Sequence, residues 1–390
     1  PTDTGVELSQ RRFVYTAGPA ASEPRWSVPV MLRVGRASSV TEHRVLLSEP
    51  SASVDLGGRA DWVVANAGGH GFYRVRYAPE LAVALHANIG HLDGLEVFNL
   101  VSDTWAGTLA GDVPVSELAE LLRLLRGDED PATWTVAVTA MDFLHRIADE
   151  KGSKAVERYV RAVVGPAFAR LGWNALPGES DKVGTLRSTL AAALGTTGAD
   201  HEVRATAARL HEQYLADRTS VDPDLVGACV AIIAYTGGKQ EYEVFLERFH
   251  HPGTPQEEVR YLYALSAFPD EELARRTLEM AVTEVRSQNA PFVYSALLAN
   301  RVAGPQAWDF MSKHWDKLIE RIPQNSVVRM LEGIPSLCNT ELAARIHAFF
   351  AEHPIRSGQR TLDQILERLD VNVAFATAQR DQVAAALAPR

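Results

Sequence analysis

The sequence predicts a mainly α-helical protein in which a small antiparallel β-domain precedes a long array of helices. Apolar and polar side chains alternate through the first 77 residues with the period of a strand. From Pro79 onward, apolar residues recur three and four positions apart, as on one face of a helix. The chain has 390 residues, more than one hydrophobic core usually serves. We therefore expect two domains, at residues 1–77 and 78–390.

The β-domain is predicted from four short stretches with strand patterning, separated by segments rich in Gly, Pro, Ser and Ala. These stretches are 12–15, 26–34, 42–47 and 62–65. Strands at this spacing favour an antiparallel sheet or β-sandwich that buries one face of each strand. A lone sheet of this size buries little apolar area, so we expect it to pack against the rest of this chain or a missing neighbour.

The remainder of the chain is predicted to form amphipathic helices joined by short loops. Several begin with proline, whose missing N–H costs nothing in the first turn. The predicted helices are 114–125, 133–150, 153–171, 182–195, 200–216, 223–235, 239–249, 255–267, 270–285, 291–302, 305–317, 324–334, 339–352 and 357–390. Pairs of helices recur about every 40 residues, which is typical of HEAT-like repeats that stack into an α-α superhelix with a concave binding surface.

Composition excludes several classes of partner. The net charge is −10 and the basic residues are scattered, which argues against nucleic acid. The longest apolar run, near 226–235, is shorter than the roughly 20 residues of a membrane span.

The first residues show no secretion signal and no initiator Met, which fits a fragment of a longer protein. Cys229 and Cys338 are too few for a disulfide framework, so we expect buried, reduced thiols and a cytoplasmic protein.

The sequence contains no motif for a catalytic or metal site. A zinc hydrolase of the H-E-x-x-H type needs two His one helical turn apart, with a Glu between them as general base. The pairs at 201–202 and 211–212 begin in this way, but Ala205 and Leu215 stand where the second His is required. We expect both pairs to lie on solvated helix faces. We therefore predict no catalytic residues and no metal ligands in this chain.

Residues 66–77 carry the strongest resemblance to a known family. They read Asn-Ala-Gly-Gly-His-Gly-Phe-Tyr-Arg-Val-Arg-Tyr, which resembles the pattern N-x-G-x-x-G-(F/Y)-Y-R-V-x-Y of relatives of aminopeptidase N, including the puromycin-sensitive branch. Stretches at 8–13, 26–30, 171–188, 285–291 and 348–354 also resemble that family, so the similarity extends along nearly the whole chain. The sequence departs from the family at Asn289, Phe375 and Val97, which replace Asp, Trp and Arg and leave salt-bridge partners open.

The resemblance implies a role without catalysis for this chain. In a zinc aminopeptidase of this family, an upstream domain of the same polypeptide holds the catalytic zinc, and the C-terminal half forms a wall around the active-site cavity. That wall encloses the peptide substrate and limits its length. Arg187 and Arg286 are candidates for contacting a peptide carboxylate or for bracing loops, because Arg offers a planar fork of donors. Gln288, in the same motif as Arg286, is a third candidate for substrate binding.

A second interpretation remains open. The chain is then a stand-alone helical-repeat module that binds a peptide or protein and has lost catalysis. A parent reading frame with H-E-x-x-H upstream, and a Glu about twenty residues further on, would exclude this interpretation.

Overall fold

The computed structural model describes residues 1–2, 4–16, 25–37, 39–355 and 357–388. The chain divides into two compact units, Pro1–Ala140 and Met141–Arg390. The predicted fold class, a small antiparallel β-region followed by a mainly α-helical region, is confirmed. The domain boundary after residue 77 and the stacking into a HEAT-like superhelix stay predictions.

Where the structure describes the first unit, its β-region has five strands: Gly5–Ser9 (β1), Val28–Arg36 (β2), Ser39–Leu47 (β3), Ser51–Asp55 (β4) and Trp62–Ala65 (β5). β1 and β4 form a two-stranded antiparallel sheet, and β2 lies between β3 and β5 in a three-stranded antiparallel sheet. Alternate residues of β2 face inward, as the period of two requires: Val30, Leu32 and Val34 are buried. They share a core with Val6 of β1, so both sheets bury their apolar side chains together.

One predicted strand is wrong. Residues 12–15 form no regular structure, and their side chains are exposed or half-buried. The first strand, β1, lies a few residues earlier, where Val6 pairs with Val54 of β4. β4 was not predicted, because the Ser and Ala of its sequence have weak strand propensity.

The first unit continues with three helices, Pro79–Ala87 (α1), Gly94–Leu109 (α2) and Val115–Arg123 (α3). The next helix, Pro131–Ile147 (α4), contains the border between the units. The second unit then contains Glu150–Leu171 (α5), Asp181–Gly195 (α6), His201–Ala216 (α7), Pro223–Thr236 (α8), Lys239–His250 (α9), Pro255–Ala264 (α10), Glu271–Thr283 (α11), Ala290–Leu298 (α12), Gly304–Lys313 (α13), Trp315–Arg321 (α14), Thr340–Glu352 (α15), Gln359–Gln379 (α16) and Val383–Ala386 (α17).

The predicted helices between 114 and 285 are observed with ends within three residues of the prediction. Four later predictions differ from the structure. The helix expected at 291–302 is observed as α12, which ends at Leu298. The helix expected at 305–317 ends as α13 at Lys313, where the His314 ring bonds the carbonyl oxygen of Phe310 at 2.8 Å. Residues 324–331 form a 3-10 helix rather than an α-helix. The last predicted helix is two helices, α16 and α17, and residues 389–390 lie outside the described residues.

The helices of the second unit pack in a regular order. α6, α8, α10 and α12 contact one another in succession, and each also contacts the helix that precedes it in the chain. Stacked helix pairs produce this order of contacts. Trp308 of α13 and Trp315 of α14 are 2% and 5% exposed and belong to the core of this unit. Within the described ranges, no helix is both long enough and apolar enough to cross a membrane.

Candidate functional site: a polar pocket at helix ends

A pocket with a cavity volume of about 380 Å³ lies in the second unit, where α4, α6 and α8 end and α5 begins. We call it the polar pocket, and its main lining residues are His145, Glu157, Thr196, Arg204, Tyr235 and Arg301. Gly195, the last residue of α6, allows close packing against α8, since a Cβ there would lie 2.6 Å from Ile232. The ends of alternate helices are thereby held side by side.

Arginine side chains satisfy the carbonyl groups at these helix ends. The last carbonyls of a helix have no partner within the helix and carry partial negative charge. Arg204 Nε donates to the carbonyl of Gly195 at 2.7 Å, and its Nη2 donates to that of Thr196 at 3.2 Å. Arg146 Nη2 donates to the carbonyl of Ala299, beyond α12, at 2.7 Å. These two guanidinium groups therefore have structural partners.

A buried asparagine fixes the loop between α12 and α13. Asn300 Nδ2 donates to the carbonyls of Ser266 and Phe268, both at 2.9 Å. Its Oδ1 accepts the backbone N–H groups of Val302 at 2.9 Å and Ala303 at 3.0 Å. Asn300 is only 7% exposed, so the backbone beside the polar pocket is held at a defined place.

Arg301 follows Asn300 and is the available cation of the polar pocket. It donates to the hydroxyl of Tyr235, and its guanidinium carbon lies 5.7 Å from the centre of the Tyr235 ring. The side chain is exposed, and no carboxylate of the described residues lies within ion-pair distance of it. Arg301 can therefore bind an anion without giving up an existing ion pair.

His145 is neutral beside this cation. It is 6% exposed, and burial together with the nearby charge of Arg301 lowers the pKa of His145 to about 4. Its Nε2 lies 4.0 Å from Oε1 of Glu157, which also accepts Lys154 Nζ at 2.9 Å. Lys154 neutralises Glu157, and the charges of Glu150 and Arg204, which also line the pocket, offset each other. The positive excess of the lining is therefore that of Arg301.

Asp142 lies one turn before Arg146 on α4. Its side chain is exposed and accepts a hydrogen bond from the hydroxyl of Thr197. Desolvation nevertheless raises the pKa of Asp142, and the bond from Thr197 and the charges of Arg146 and Arg301 only partly oppose this.

The predicted site residue Arg187 lies in the interior of the second unit. It is 1% exposed, and its Nη2 lies 2.6 Å from both carboxylate oxygens of Glu179. Its Nε donates to the carbonyl of Gly172 at 3.1 Å, and the bonds from Arg187 lower the pKa of Glu179. Arg187 therefore braces the loop between α5 and α6, and its contact with a peptide stays a prediction.

The other two predicted site residues lie together but away from the polar pocket. Arg286 and Gln288 occupy the turn between α11 and α12, and both side chains are exposed. Arg286 Nη2 is 3.3 Å from a carboxylate oxygen of Glu258. The structure does not bring them together with Arg187, and their binding of substrate stays a prediction.

The motif at residues 66–77 forms a rigid turn in the first unit. Asn66 has a φ of 121°, and its side chain bonds Gly71 twice, to the N–H at 2.7 Å and the carbonyl at 3.1 Å. The next two glycines of the motif, Gly68 and Gly69, also have positive φ, which favours glycine. Further along, the hydroxyl of Tyr77 accepts the backbone N–H of Ala65 at 3.0 Å, which ties the motif to β5.

The same motif provides the salt-bridge partner that the sequence left open. Val97 replaces the usual Arg and is buried, whereas Asp103 still has a cationic partner. Its carboxylate accepts Arg74 Nη1 at 3.2 Å and the N–H of Val75 at 2.9 Å. Desolvation raises the pKa of Asp103, and these two bonds oppose it. Arg74, a fixed position of the motif, therefore pairs with the Asp that the family pattern retains.

Comparison with known proteins agrees with the resemblance. A family model described as "ERAP1-like C-terminal domain" matches residues 62–371. This chain belongs to the ERAP1-like C-terminal domain family. The matched region contains the rigid turn, the polar pocket and all three predicted site residues.

The relatives of this ERAP1-like domain are aminopeptidases by name. Aminopeptidase M1-A of Oryza sativa subsp. japonica is 25% identical, over 97% of this chain and 44% of the relative. Alanine/arginine aminopeptidase of Saccharomyces cerevisiae is 22% identical, over 97% of this chain and 45% of the relative. Puromycin-sensitive aminopeptidase of Caenorhabditis elegans is 24% identical, over 81% of this chain and 34% of the relative. The chain thus spans less than half the length of these relatives.

The catalytic zinc that the resemblance implies for a complete enzyme does not fit the residues of this ERAP1-like domain. Across the part of the chain that the structure describes, no three His, Cys, Asp or Glu side chains are grouped to hold a metal ion. His201 is exposed at the start of α7, as expected. The expectation that His211 is solvated is wrong, since it is 5% exposed and its Nε2 bonds the Tyr261 hydroxyl at 2.8 Å.

Sequence reasoning missed the residues of the polar pocket in this ERAP1-like domain. His145, Tyr235 and Arg301 lie on separate segments, and nothing in their spacing joins them. One signal was available, since each lies near the C-terminal end of a predicted helix. It becomes informative only when the packing order of the helices is known.

Proposed function

We propose that this chain is the non-catalytic helical part of a zinc-dependent aminopeptidase that removes N-terminal residues from peptides. Family membership supports this, as do aminopeptidase relatives that align with nearly all of the chain. Because those relatives are more than twice as long as the aligned region, we assign the catalytic zinc to another segment of the same polypeptide, upstream of this chain.

The proposed role of this chain is to form a wall of the cavity that holds the peptide. The observation that carries the proposal is Arg301, an exposed guanidinium in the polar pocket. Among the described residues, its side-chain partner is the Tyr235 hydroxyl alone. A peptide carries carboxylates on its side chains and at its terminus, and a guanidinium and a phenol bind such a group with several donors. In this proposal, a peptide long enough to reach Arg301 is held there and a shorter one is not, which selects substrates by size.

The three residues named from the sequence enter this proposal in different ways. Arg286 and Gln288 are proposed as a second contact for the peptide, because both side chains are exposed in one turn. Arg187 is proposed to act indirectly, by holding the loop between Gly172 and Glu179 in shape.

Phe72 supports the proposed upstream partner. Its ring is fully exposed, although it lies in a turn whose backbone is fixed by the bonds between Asn66 and Gly71. A rigid turn that presents a large apolar ring to water is a feature of contact surfaces. We propose that the zinc domain of the same polypeptide covers Phe72.

A cytoplasmic location is proposed from the cysteines. Cys229 and Cys338 are free thiols, and burial raises the pKa of Cys229 to about 12 and of Cys338 to about 11. Unreactive reduced thiols fit a reducing compartment.

The test uses the complete aminopeptidase that contains this sequence, with Arg301→Gln. Peptides that share one N-terminal residue and increase in length are compared with a short alanyl amide. We expect KM to rise about tenfold for long peptides with kcat nearly unchanged, and no change for the short amide, because a charge-assisted contact is lost only by substrates that reach it. Arg329→Gln is the matched control, since Arg329 is also an exposed cation but lies outside the polar pocket.

An equal rise in KM for short and long substrates, or no rise for either, would count against the proposal that Arg301 holds long peptides at the cavity wall. The stand-alone binding module makes a different prediction. In that case the parent polypeptide carries no zinc motif, shows no peptidase activity, and the chain alone binds its peptide in a manner that Arg301→Gln weakens.

A further inference from the structure

A second cavity in the second unit, of about 300 Å³, lies between α11, α12 and α14. We call it the α14 pocket, and it is lined by Val282, Ala290, Tyr294, Leu318, Arg321 and Ile322, with Lys317 and Glu320 beside them. It shares no residue with the polar pocket. A cavity of this size matches the lower range of small-molecule sites, which are mostly apolar with a few placed polar groups.

Tyr294 is the unusual residue of the α14 pocket. It is 1% exposed, yet its hydroxyl has no hydrogen-bond partner among the residues that the structure describes. The hydroxyl is not fully enclosed by protein, so a ligand in the cavity can reach it. Burial raises the pKa of Tyr294, so the phenol keeps its proton and can donate it in a hydrogen bond. A ligand in the cavity would supply the missing acceptor.

Two cations stand at the same cavity. Arg321 Nη2 donates to the carbonyl of Val285 at 2.7 Å, which fixes the guanidinium and leaves its other N–H groups available. Lys317 is exposed and has no ion-pair partner among the described residues. The exposed carboxylate of Glu320 is the single acidic group in the lining, so the cavity carries a positive excess. Val282, Leu318 and Ile322 supply the apolar walls.

We propose that the α14 pocket binds a small free carboxylic acid with an apolar body, such as an aryl or alkyl acid. The apolar body lies against Leu318 and Ile322, and the carboxylate accepts from the Tyr294 hydroxyl and the Lys317 amine. Such a ligand matches each feature of the cavity. Its apolar body contacts the walls, and its carboxylate accepts from the Tyr294 phenol and neutralises the positive excess of the cations. The proposal does not depend on the aminopeptidase assignment.

The test is a calorimetric titration of the full chain with 3-phenylpropionate, which carries a phenyl body and one carboxylate. Tyr294→Phe should weaken binding about fivefold or more, since one hydrogen bond to a charged group is lost. Lys317→Gln should weaken it by a similar factor. Lys182→Gln is the matched control, because Lys182 is an exposed lysine on α6 far outside the lining, and it should bind like the parent. Both test substitutions preserve packing, and an unchanged thermal melt confirms that each variant is folded.

Two further ligands test whether the site requires a carboxylate, and whether that carboxylate belongs to a free acid or to the end of a peptide. 3-Phenylpropionamide should bind at least about tenfold more weakly, since it lacks the charge. N-acetyl-alanyl-phenylalanine presents the same groups at the end of a peptide. Equal or weaker binding of this dipeptide supports a free acid, and binding about tenfold tighter than 3-phenylpropionate would overturn that assignment. The site itself is overturned if the amide binds as well as the acid, or if neither substitution changes the affinity.

Discussion

Glu96 of α2 and Arg33 of β2 form a buried ion pair in the first unit, with Arg33 Nε 3.0 Å from Glu96 Oε1. The same oxygen accepts the backbone N–H of Gly68 at 3.0 Å, and Oε2 accepts that of Asp93 at 2.9 Å. Glu96 is 2% exposed. One carboxylate therefore joins a strand, the rigid turn and the start of a helix.

Replacing this carboxylate should be strongly destabilising. Glu96→Ala leaves Arg33 without its ion-pair partner and removes the acceptor of two backbone N–H groups, so we expect a loss of about 3–5 kcal/mol in the free energy of unfolding. Urea unfolding monitored by circular dichroism measures this loss of free energy. Glu49→Ala is the control in the same unit, because Glu49 pairs with Arg25 at 3.8 Å with both side chains exposed, and such pairs contribute little. Equal effects of the two substitutions would contradict the joining role of Glu96.

A second prediction concerns the glycines of the turn. Gly69 has a φ of +71°, and a Cβ at this position would lie 2.5 Å from Leu95 Cγ. Gly69→Ala should therefore cost about 2–3 kcal/mol, through backbone strain and displacement of Leu95. Gly90→Ala is the control, because nothing lies within 4 Å of its Cβ position. Thermal melts of the two variants decide the point, and a Gly69→Ala protein as stable as the Gly90→Ala protein would refute it.

A third prediction concerns acid stability. Burial lowers the pKa of His145 and of His211 to about 4 in the folded chain. The unfolded chain takes up these protons nearer the ordinary value of about 6.5, so folding stability falls as the pH drops from there toward 4. At pH 5, each histidine should cost about 2 kcal/mol relative to neutral pH.

The measurement is urea unfolding at pH 7 and at pH 5. His211→Gln keeps a side chain able to bond the Tyr261 hydroxyl but cannot take up a proton, so about half of the pH-dependent loss from the two histidines should disappear. Asp103 and Asp142 act in the opposite direction, because their raised pKa values give stability that is lost as the pH rises. If the His211→Gln protein loses as much free energy of unfolding between pH 7 and pH 5 as the unsubstituted protein, protonation of His211 does not cause the loss.

Local patterning predicted the helices well and the strands less well. Lys239–His250 agrees with its prediction to one residue, because an apolar stripe and a following Pro-Gly mark the helix and its end. β1 was missed because a five-residue strand shows its pattern only when its partner is known, and β4 lies more than forty residues away. His314 ends α13 through a side-chain contact that periodicity does not reveal.

The candidate site was less predictable than the fold. Arg187 was singled out as a contact for a peptide carboxylate or as a brace for loops, and its burial beside Glu179 is set by packing between separate segments. Arg301 was not singled out at all, since its position depends on the bonds of Asn300 to Ser266 and Phe268, more than thirty residues away. Sequence spacing records neighbours along one helix, whereas the polar pocket is built from the ends of several.

The most direct test of the account is peptidase activity of this chain alone. The purified chain is assayed with an alanyl fluorogenic amide, with and without added Zn²⁺. An aminopeptidase in which the same sequence is joined to a zinc-binding segment is the positive control. We predict no zinc-dependent hydrolysis by the chain alone and clear hydrolysis by the joined protein. Zinc-dependent turnover by the isolated chain, abolished by a chelator, would contradict the proposal that this chain holds peptide and does not cleave it.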